Sequence, residues 1–372
     1  MNTHLIRVLD TTLALCEEFT SSLHDNTNTQ TANGNTGDNQ TPSPLSLLSA
    51  SATLLKSQVS KASLLAINTP FTPSAIISTL SAINDSILPS LLTAALLVDA
   101  ERYTSAFATE TRALVGNALC ELQSLVSEIK NIALGDRGRE GGVDEAVKSA
   151  VTTATGRVWG ACEKIVGVAA DGVVGLVIWR AREYLALVRD GIEELREWDP
   201  AEDEVGGEDE FGFEDEDEGG DNEGENEVDE EQCTKLRAQK THILRVLDPV
   251  AKAYTAMITH RLKSLSADSS LTVSAISPRL DELLGCLRDI PDLTDEAAGS
   301  LYESKIPDAV EYTDKVLDRA INAVTITRGL IDVQEESAQS DKFSKWSTVW
   351  LNVVQDVRKS RPGEGTDKTS QV

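Results

Sequence analysis

Histidine is the first residue type to examine for catalysis or metal binding, and the chain has four: His4, His24, His242 and His260. None follows a glutamate at a distance of three residues, and none belongs to an HExxH or paired Cys/His motif, so carboxylate-bridged and zinc sites of familiar spacing are unsupported. His242 and His260 lie about five helical turns apart, too far to share a metal. We interpret these two as helix-surface residues and expect no metal, no cofactor and no enzymatic activity.

The glycines lack a nucleotide-binding pattern. Residues 135–142, GDRGREGG, do not follow a strand and lack the Lys-Ser/Thr pair that a phosphate-binding loop requires. Gly167, Gly172 and Gly175 lie in an apolar helical stretch, where we expect them to permit close helix approach.

The acidic residues also fail the EF-hand pattern for calcium. With Asp215 as the first ligand, Asp217 and Gly220 take the third and sixth positions. Gly219 then takes the fifth position and Asn226 the twelfth, where a bidentate glutamate is required. Only weak, nonspecific cation binding is compatible with this pattern.

Most of the excess negative charge belongs to one segment. The chain has 372 residues, with 61 Asp and Glu against 34 Lys and Arg, for a net charge of -27. Residues 199–231, here called the acidic tract, contain 19 of these acids and no Lys or Arg; without them the net charge is -8. A segment this charged repels itself and has too little apolar surface to fold, so we expect a disordered linker. The overall charge also argues against direct nucleic-acid binding.

Two roles for the acidic tract remain open. It is either a solvated spacer or a segment that attracts a basic protein surface over a distance, an effect that weakens with salt. In the second role, two phenylalanines between acids would act as short apolar anchors. The residues that we assign to partner binding are Glu210, Phe211, Phe213, Glu214, Asp215, Glu216, Asp217 and Glu218.

Helical periodicity dominates the rest of the chain. Apolar residues from Leu92 to Ile132 recur at threes and fours, which predicts one long helix. Residues 68–73 should break the helix before them, Pro89 should kink or start a helix, and Pro278, Pro291 and Pro307 should separate shorter segments. We therefore predict an all-α protein of two helical bundles joined by a disordered acidic linker. The predicted domains are an N-terminal bundle at 1–198 with a mobile polar loop at 25–44, the linker at 199–231, a C-terminal bundle at 232–360 and a polar tail at 361–372.

Neither export nor membrane insertion is expected. The five cysteines are scattered singly, which favours free thiols in a reducing compartment. Charged residues interrupt the N-terminal apolar stretch, which makes it unsuitable as a signal-peptide core. The apolar stretch Ile165–Trp179 is shorter than the roughly 20 residues that span a bilayer, so we expect a buried helix there.

One short internal repeat connects the two halves. HLIRVLD at residues 4–10 and HILRVLD at 242–248 match at five of seven positions. Either a duplicated bundle or convergent amphipathic patterning would explain the match. Three Arg-x-Leu triplets, at residues 7–9, 112–114 and 245–247, are similar to short cyclin-docking motifs, but their leucines fall on core stripes and a buried leucine cannot dock.

Several local segments resemble the cyclin-D1-binding protein 1 family, also called Grap2 and cyclin-D-interacting proteins. The resemblance covers most of the chain outside the tails, although each motif is short. The similar segments are RALVG at 112–116, VWGAC at 158–162, Asp199-Pro200, LDEL at 280–283, IPD at 290–292, Ile306-Pro307 and Trp346.

This resemblance implies an all-helical, non-enzymatic regulatory adaptor of the cell cycle, found in cytoplasm and nucleus, that binds D-type cyclins and restrains cyclin-dependent kinase signalling. Family members are described as helix-loop-helix proteins without a basic region, and no Lys/Arg-rich helix precedes a loop here. The long Asn/Thr segment after His24 departs from the family pattern. The expected partners are proteins, either a cyclin or a basic protein surface, with no membrane and an undetermined oligomeric state. The alternatives are a helical scaffold of the vinculin or talin kind and an acidic histone-binding chaperone.

Overall fold

The computed structural model describes residues 3–25, 43–135, 143–203, 223–267, 273–330 and 342–360. Every regular element within these ranges is helical, which confirms the all-α prediction. The acidic tract joins two helical regions, as predicted. Most of the predicted polar loop at 25–44 and the tail at 361–372 fall outside the described ranges.

Contacts divide the chain into two compact units. The first unit comprises Met1–Leu176 and Thr272–Pro278, and the second comprises Val177–Leu271 and Arg279–Val372. The helices that lie wholly in the first unit are α1 (Thr3–Asp25), α2 (Pro44–Ile67), α3 (Pro73–Ala82), α4 (Leu88–Leu97) and α5 (Ser105–Leu134). A fifty-three-residue helix, α6 (Glu145–Glu197), begins in the first unit and ends in the second.

The core of the first unit is built from small and branched aliphatic side chains. Helix α1 packs along α5, and α2 packs against α3 and α4. Leu9, Leu55, Leu88 and Val115 are among the fully buried residues of this core. Pro73–Leu97 is long and apolar enough by composition to cross a membrane. Within this segment, Ile76, Leu80 and Leu88 are buried in the core.

The predicted single helix over Leu92–Ile132 is wrong, because residues 98–104 interrupt it. The backbone N–H of Arg102 donates to Asp99 Oδ1 at 2.7 Å. The buried Thr104 side chain then accepts from Phe107 N at 3.0 Å and caps α5. These local side-chain bonds compete with helical hydrogen bonds, so two helices form where apolar spacing alone predicts one.

Prolines act differently from one position to the next. The predicted break before Pro73 is confirmed, since α2 ends at Ile67 and α3 begins at Pro73. Pro89 follows a π-helical turn, Ile83–Ile87, between α3 and α4. A proline removes one backbone donor and crowds the preceding turn, and a π-turn relieves both constraints without ending the helix.

The second unit contains the remaining helices, except that the first residues of one of them, up to Pro278, belong to the first unit. They are α7 (Pro200–Asp203), α8 (Glu223–Met257), a π-turn (Ile258–Leu262), α9 (Lys263–Ala267), α10 (Val273–Tyr302), α11 (Ile306–Arg328) and α12 (Lys342–Lys359). Helix α10 runs through Pro278 and Pro291, so the expected breaks there are wrong, whereas Pro307 stands in the first turn of α11. The expected separation of two helical segments at Pro307 is thus confirmed, and the proline occupies a favourable position at the start of α11.

Helix α8 is the centre of the second unit. It packs against α11 and α12. The fully buried Tyr254 donates its hydroxyl to Leu287 O of α10 at 2.6 Å, and Trp350 of α12 donates its indole N–H to Pro249 O at 2.8 Å. These bonds satisfy the polar ends of two large aromatic side chains inside a mostly apolar interior.

The units divide within α6, at Leu176, and not at residue 198 where the sequence analysis ends the first bundle. Two contacts place the later part of α6 with the second unit. Arg196 Nη2 lies 2.7 Å from Asp248 Oδ1 of α8, and a Cβ atom on Gly191 would lie 3.4 Å from Thr294 Cγ2 of α10. The apolar stretch Ile165–Trp179 is helical apart from Gly172, but the expectation that it is buried holds only in part. Trp179 is 45% exposed, and the buried residues are Ile165, Val173, Val174, Leu176, Val177 and Ile178.

The backbone of α6 leaves helical geometry at Gly172, where φ is 63° and ψ is -165°. Glycine adopts this conformation readily, whereas a side chain is strained in it. A Cβ atom on Gly167 or Gly172 would meet nothing within 4 Å, and one on Gly175 would meet only Asp171 of the same helix. The expected role of these three glycines in close helix approach is therefore wrong. Gly172 instead permits the local backbone conformation.

Replacing Gly172 by alanine should destabilise the protein by about 1–3 kcal/mol, because the penalty comes from backbone strain alone. Gly167→Ala is the matched control. Gly167 lies on the same helix with equal free space but without a positive φ, so alanine should be neutral or stabilising by about 0.5–1 kcal/mol. Urea unfolding followed by circular dichroism checks both; equal effects would contradict this assignment.

Candidate interaction surfaces

The eight residues predicted to bind a partner, Glu210, Phe211, Phe213, Glu214, Asp215, Glu216, Asp217 and Glu218, lie outside the described residues, so their role stays a prediction. The described residues on both sides of them can be examined. Helices α7 and α8 extend into the acidic tract from its two ends. Both flanking segments belong to the second unit.

The two ends of the acidic tract are joined at Asp199. Arg237 Nη2 of α8 lies 3.1 Å from Asp199 Oδ1, across 38 residues of sequence. The same carboxylate oxygen accepts the Ala201 backbone N–H at 3.0 Å. The Ala201 hydrogen bond, followed by the Arg237 side chain, lowers the pKa of Asp199. Asp199 therefore stays ionised and acts as an anchor at the start of the tract.

Lys240 provides a second connection between these ends. Its Nζ donates to the carbonyl oxygen of Arg196 at 2.9 Å and to that of Trp198. Carbonyl groups at the end of a helix have no helical partner, and a cation there also interacts favourably with the helix dipole. Lys240 thus caps α6 from α8. We call Asp199, Arg237, Lys240 and the Arg196 and Trp198 carbonyls the tract clasp.

An acidic face lies beside the tract clasp. Asp295 of α10 is exposed but has a raised pKa, first because the surrounding protein partly desolvates its carboxylate and then because Glu194, Asp292 and Glu296 carry like charges nearby. Glu194 is in the final turns of α6, shortly before Asp199. The negative charge of the acidic tract therefore continues onto folded helices of the second unit. Within the described residues, no group of His, Cys, Asp and Glu has the arrangement to hold a metal ion.

In the first unit, helices α2 and α6 meet along a polar seam. Three contacts follow one another at helical spacing in antiparallel order. Ser63 and Thr155 hydroxyls share a buried hydrogen bond of 2.6 Å; Trp159 Nε1 donates to Ser60 Oγ at 3.0 Å; and Lys56 Nζ lies 2.6 Å from Glu163 Oε1. The seam becomes more exposed from its first contact to its last.

Trp159 stands out within this seam because the residue is 39% exposed although its indole N–H is already bonded. Lys56 Nζ lies 5.7 Å from the ring centroid, a cation–π arrangement. Nearby, Leu64 is 56% exposed. Lys61, Leu64, Leu65, Asn68 and Pro70 line an open surface cavity of about 420 Å³.

The histidines and cysteines are distributed through the helices. His4, His24 and His260 are exposed, but His242 is buried, so its expected surface position is wrong. His242 lies on the same face of α8 as the buried Gln239 and Ile243, and neighbouring helices cover this face. All five cysteines are free thiols, as expected. Burial raises the pKa of Cys16 and Cys162 to about 12, which makes both unreactive near neutral pH.

The leucines of the three Arg-x-Leu triplets pack toward the core, as predicted. Leu9 and Leu247 are buried, and Leu114 is partly buried against the core. The two repeated heptapeptides also share a helical register. Leu5 and Leu9 in α1 correspond to Ile243 and Leu247 in α8, and all four are buried. This agreement is compatible with both duplication and convergence.

Neither the tract clasp nor the polar seam between α2 and α6 was predicted from the sequence. A signal for the first was present, because Lys235, Arg237 and Lys240 follow the acidic tract directly. A signal for the polar seam was the low charge content of residues 44–97. The only charged residues in this stretch are Lys56, Lys61 and Asp85.

Comparison with known proteins gives two matches. Residues 47–201 match the family model described as Grap2 and cyclin-D-interacting, N-terminal. An uncharacterized protein from Schizosaccharomyces pombe is 24% identical over 316 residues, which is 83% of each chain. The family match extends from α2 through α6 and ends inside α7, at the start of the acidic tract.

Lys240→Met should destabilise the second unit by about 1.5–3 kcal/mol, because hydrogen bonds from a charged donor to the α6 carbonyls are lost. Lys252→Met is the matched control, since Lys252 is an exposed lysine of the same helix and its replacement should change stability by less than about 0.5 kcal/mol. Urea unfolding measures both. A small effect of Lys240→Met would refute the capping role.

Asp295→Asn should raise the thermal midpoint near neutral pH. The folded chain holds the Asp295 proton more tightly than the unfolded chain because its folded pKa is raised above 3.8. Ionisation therefore removes stability as the pH rises through the folded pKa, and the gain from asparagine should disappear below about pH 3.8. Thermal scans across this pH range test the effect. Asp356→Asn, which removes a carboxylate at an exposed position of α12, is the control and should change the thermal midpoint less near neutral pH.

Proposed function

The chain belongs to the Grap2 and cyclin-D-interacting protein family through residues 47–201, and from that premise we propose that it is a non-enzymatic regulatory adaptor that binds a partner protein. The partner class is a D-type cyclin or another protein with a basic surface. The role is regulation of the cell cycle, in cytoplasm and nucleus. The family description supports a cyclin as the partner.

The tract clasp carries the charge-based part of this proposal. Its bonds hold residues 196–199 against residues 237–240 of the second unit, so the start of the acidic tract lies against the part of α8 that follows the end of the tract. Glu194, Asp292 and Glu296 add folded negative charge near that place. Concentrated charge of one sign attracts an oppositely charged surface over a distance and accelerates association. Phe211 and Phe213 would then add short-range apolar contact after the encounter.

The test compares the wild-type full chain with a variant in which Glu208, Asp209, Glu210 and Glu214–Glu218 become their amides. A second variant has the same tract residues in scrambled order and so keeps the charge. Association with a purified D-type cyclin is followed by surface plasmon resonance between about 50 mM and about 500 mM salt, which spans a wide range of screening. Wild type and scrambled chains should lose association rate by about tenfold or more over this range.

The amide variant should associate slowly at low salt and respond little to added salt, with the dissociation rate nearly unchanged. Equal association rates and equal salt dependence for all three chains would show that the acidic tract is only a spacer. Failure of the wild type to bind any D-type cyclin would refute the proposed partner. Replacing Phe211 and Phe213 by alanine should instead accelerate dissociation, because those side chains act only after contact.

A further inference from the structure

We infer a second docking surface, in the first unit, for the apolar face of an amphipathic helix that carries carboxylates along one flank. We call it the α2 face and define it by Leu54, Lys61, Leu64 and Trp159. It does not rest on the proposed function, because the acidic tract takes no part in it. The α2 face favours a negatively charged partner, whereas the acidic tract attracts a positively charged one.

The apolar part of the α2 face follows from helical spacing. Lys61 lies two turns after Leu54 and one turn before Leu64, so these three side chains share one side of α2. Leu54 and Leu64 are 53% and 56% exposed. Ser60, which accepts the Trp159 indole hydrogen bond, lies one turn before Leu64, so the indole ring extends the same surface. The cavity beside Leu64 and Pro70 gives this surface a concave end.

Trp159 has the properties of a binding anchor. Its N–H is satisfied by Ser60, and Lys56 lies over its ring, so the ring orientation is set before any partner arrives. A partner would cover an apolar ring without breaking a hydrogen bond and with little loss of side-chain entropy. Tryptophan is enriched among interface residues that contribute most to binding energy.

The charge of the α2 face determines which helix it accepts. The chain as a whole carries a net charge of -27, but α2 contains Lys56 and Lys61 and no acidic residue. Lys56 is paired with Glu163, and Lys61 is exposed beside the cavity. An acidic partner is repelled by the acidic tract and finds a favourable contact at Lys61. A second copy is disfavoured because two chains of this charge repel each other.

The probe is a fluorescein-labelled helical peptide of about 16 residues with leucines along one face, in two forms whose flank carries either glutamates or lysines. Fluorescence anisotropy measures affinity for the full chain. Lys61→Glu should weaken binding of the glutamate form by about fivefold or more. It should also improve the relative affinity of the lysine form. Lys164→Glu reverses an exposed charge of α6 in the same unit and should change affinity less than about twofold.

Leu64→Ala and Trp159→Ala should each weaken binding by about fivefold or more. Leu187→Ala removes an equally exposed leucine, 53% accessible, in the second unit and serves as the matched control. Far-UV circular dichroism confirms that each variant remains helical. Because Lys61→Glu changes an exposed side chain, it tests the surface even if Trp159→Ala reduces stability.

Equal effects of Lys61→Glu and Lys164→Glu, equal effects of Leu64→Ala and Leu187→Ala, or no binding of the glutamate form would overturn the inference. Sedimentation showing a dimer that Leu64→Ala dissociates would place a second copy on the α2 face and would also overturn it. Repeating the titration with the amide variant of the acidic tract separates the two surfaces. Affinity for the glutamate form should stay equal or increase there, whatever the outcome of the cyclin experiment.

Discussion

Nineteen carboxylates within 33 consecutive residues cannot enter an apolar core, and they repel one another wherever they lie close together. The remaining chain must therefore hold the ends of this segment without burying it. The tract clasp does so with two cations of α8. Arg237 binds the first carboxylate of the tract, and Lys240 binds carbonyls at the end of α6. Lys240 donates to carbonyl groups in and just after the last turn of α6, so the clasp also caps the end of a long helix.

A second constraint acts inside α6. Its residues belong to one unit before Leu176 and to the other unit after it, while the helix continues in sequence through both. The departure from helical geometry at Gly172 lies just before that division. Glycine tolerates this backbone conformation because it has no Cβ. A single residue therefore interrupts regular geometry in the part of the chain where the packing partners of the helix change.

The two proposed surfaces have complementary chemistry. The second unit offers negative charge at the tract clasp and on the helices beside it, and the first unit offers apolar side chains with Lys61. Their energetic roles also differ. Charge at a distance mainly changes how fast a partner arrives, whereas covered aromatic and aliphatic side chains mainly change how long it stays. An adaptor with both could bind a basic protein surface and an acidic helix through separate contacts.

Composition and periodicity alone were enough to predict an all-helical chain, the acidic segment between helical regions and the free thiols. These features depend on local charge density, on apolar spacing and on the number and placement of cysteines. The break at residues 98–104, the burial of His242 and the continuity of α10 through Pro291 required the tertiary structure. In each case a neighbouring helix or a capping side chain outweighed the local pattern.

The candidate sites depend even more on tertiary structure. The sequence shows that basic residues follow the acidic tract, but not that Lys240 reaches carbonyls more than 40 residues earlier. It also shows Trp159 without indicating that Ser60 and Lys56 hold its ring at the surface. Local propensity decides which residues become helical. Which side chains become partners is decided when helices pack, because packing joins groups that are far apart in sequence and leaves only particular faces open to solvent.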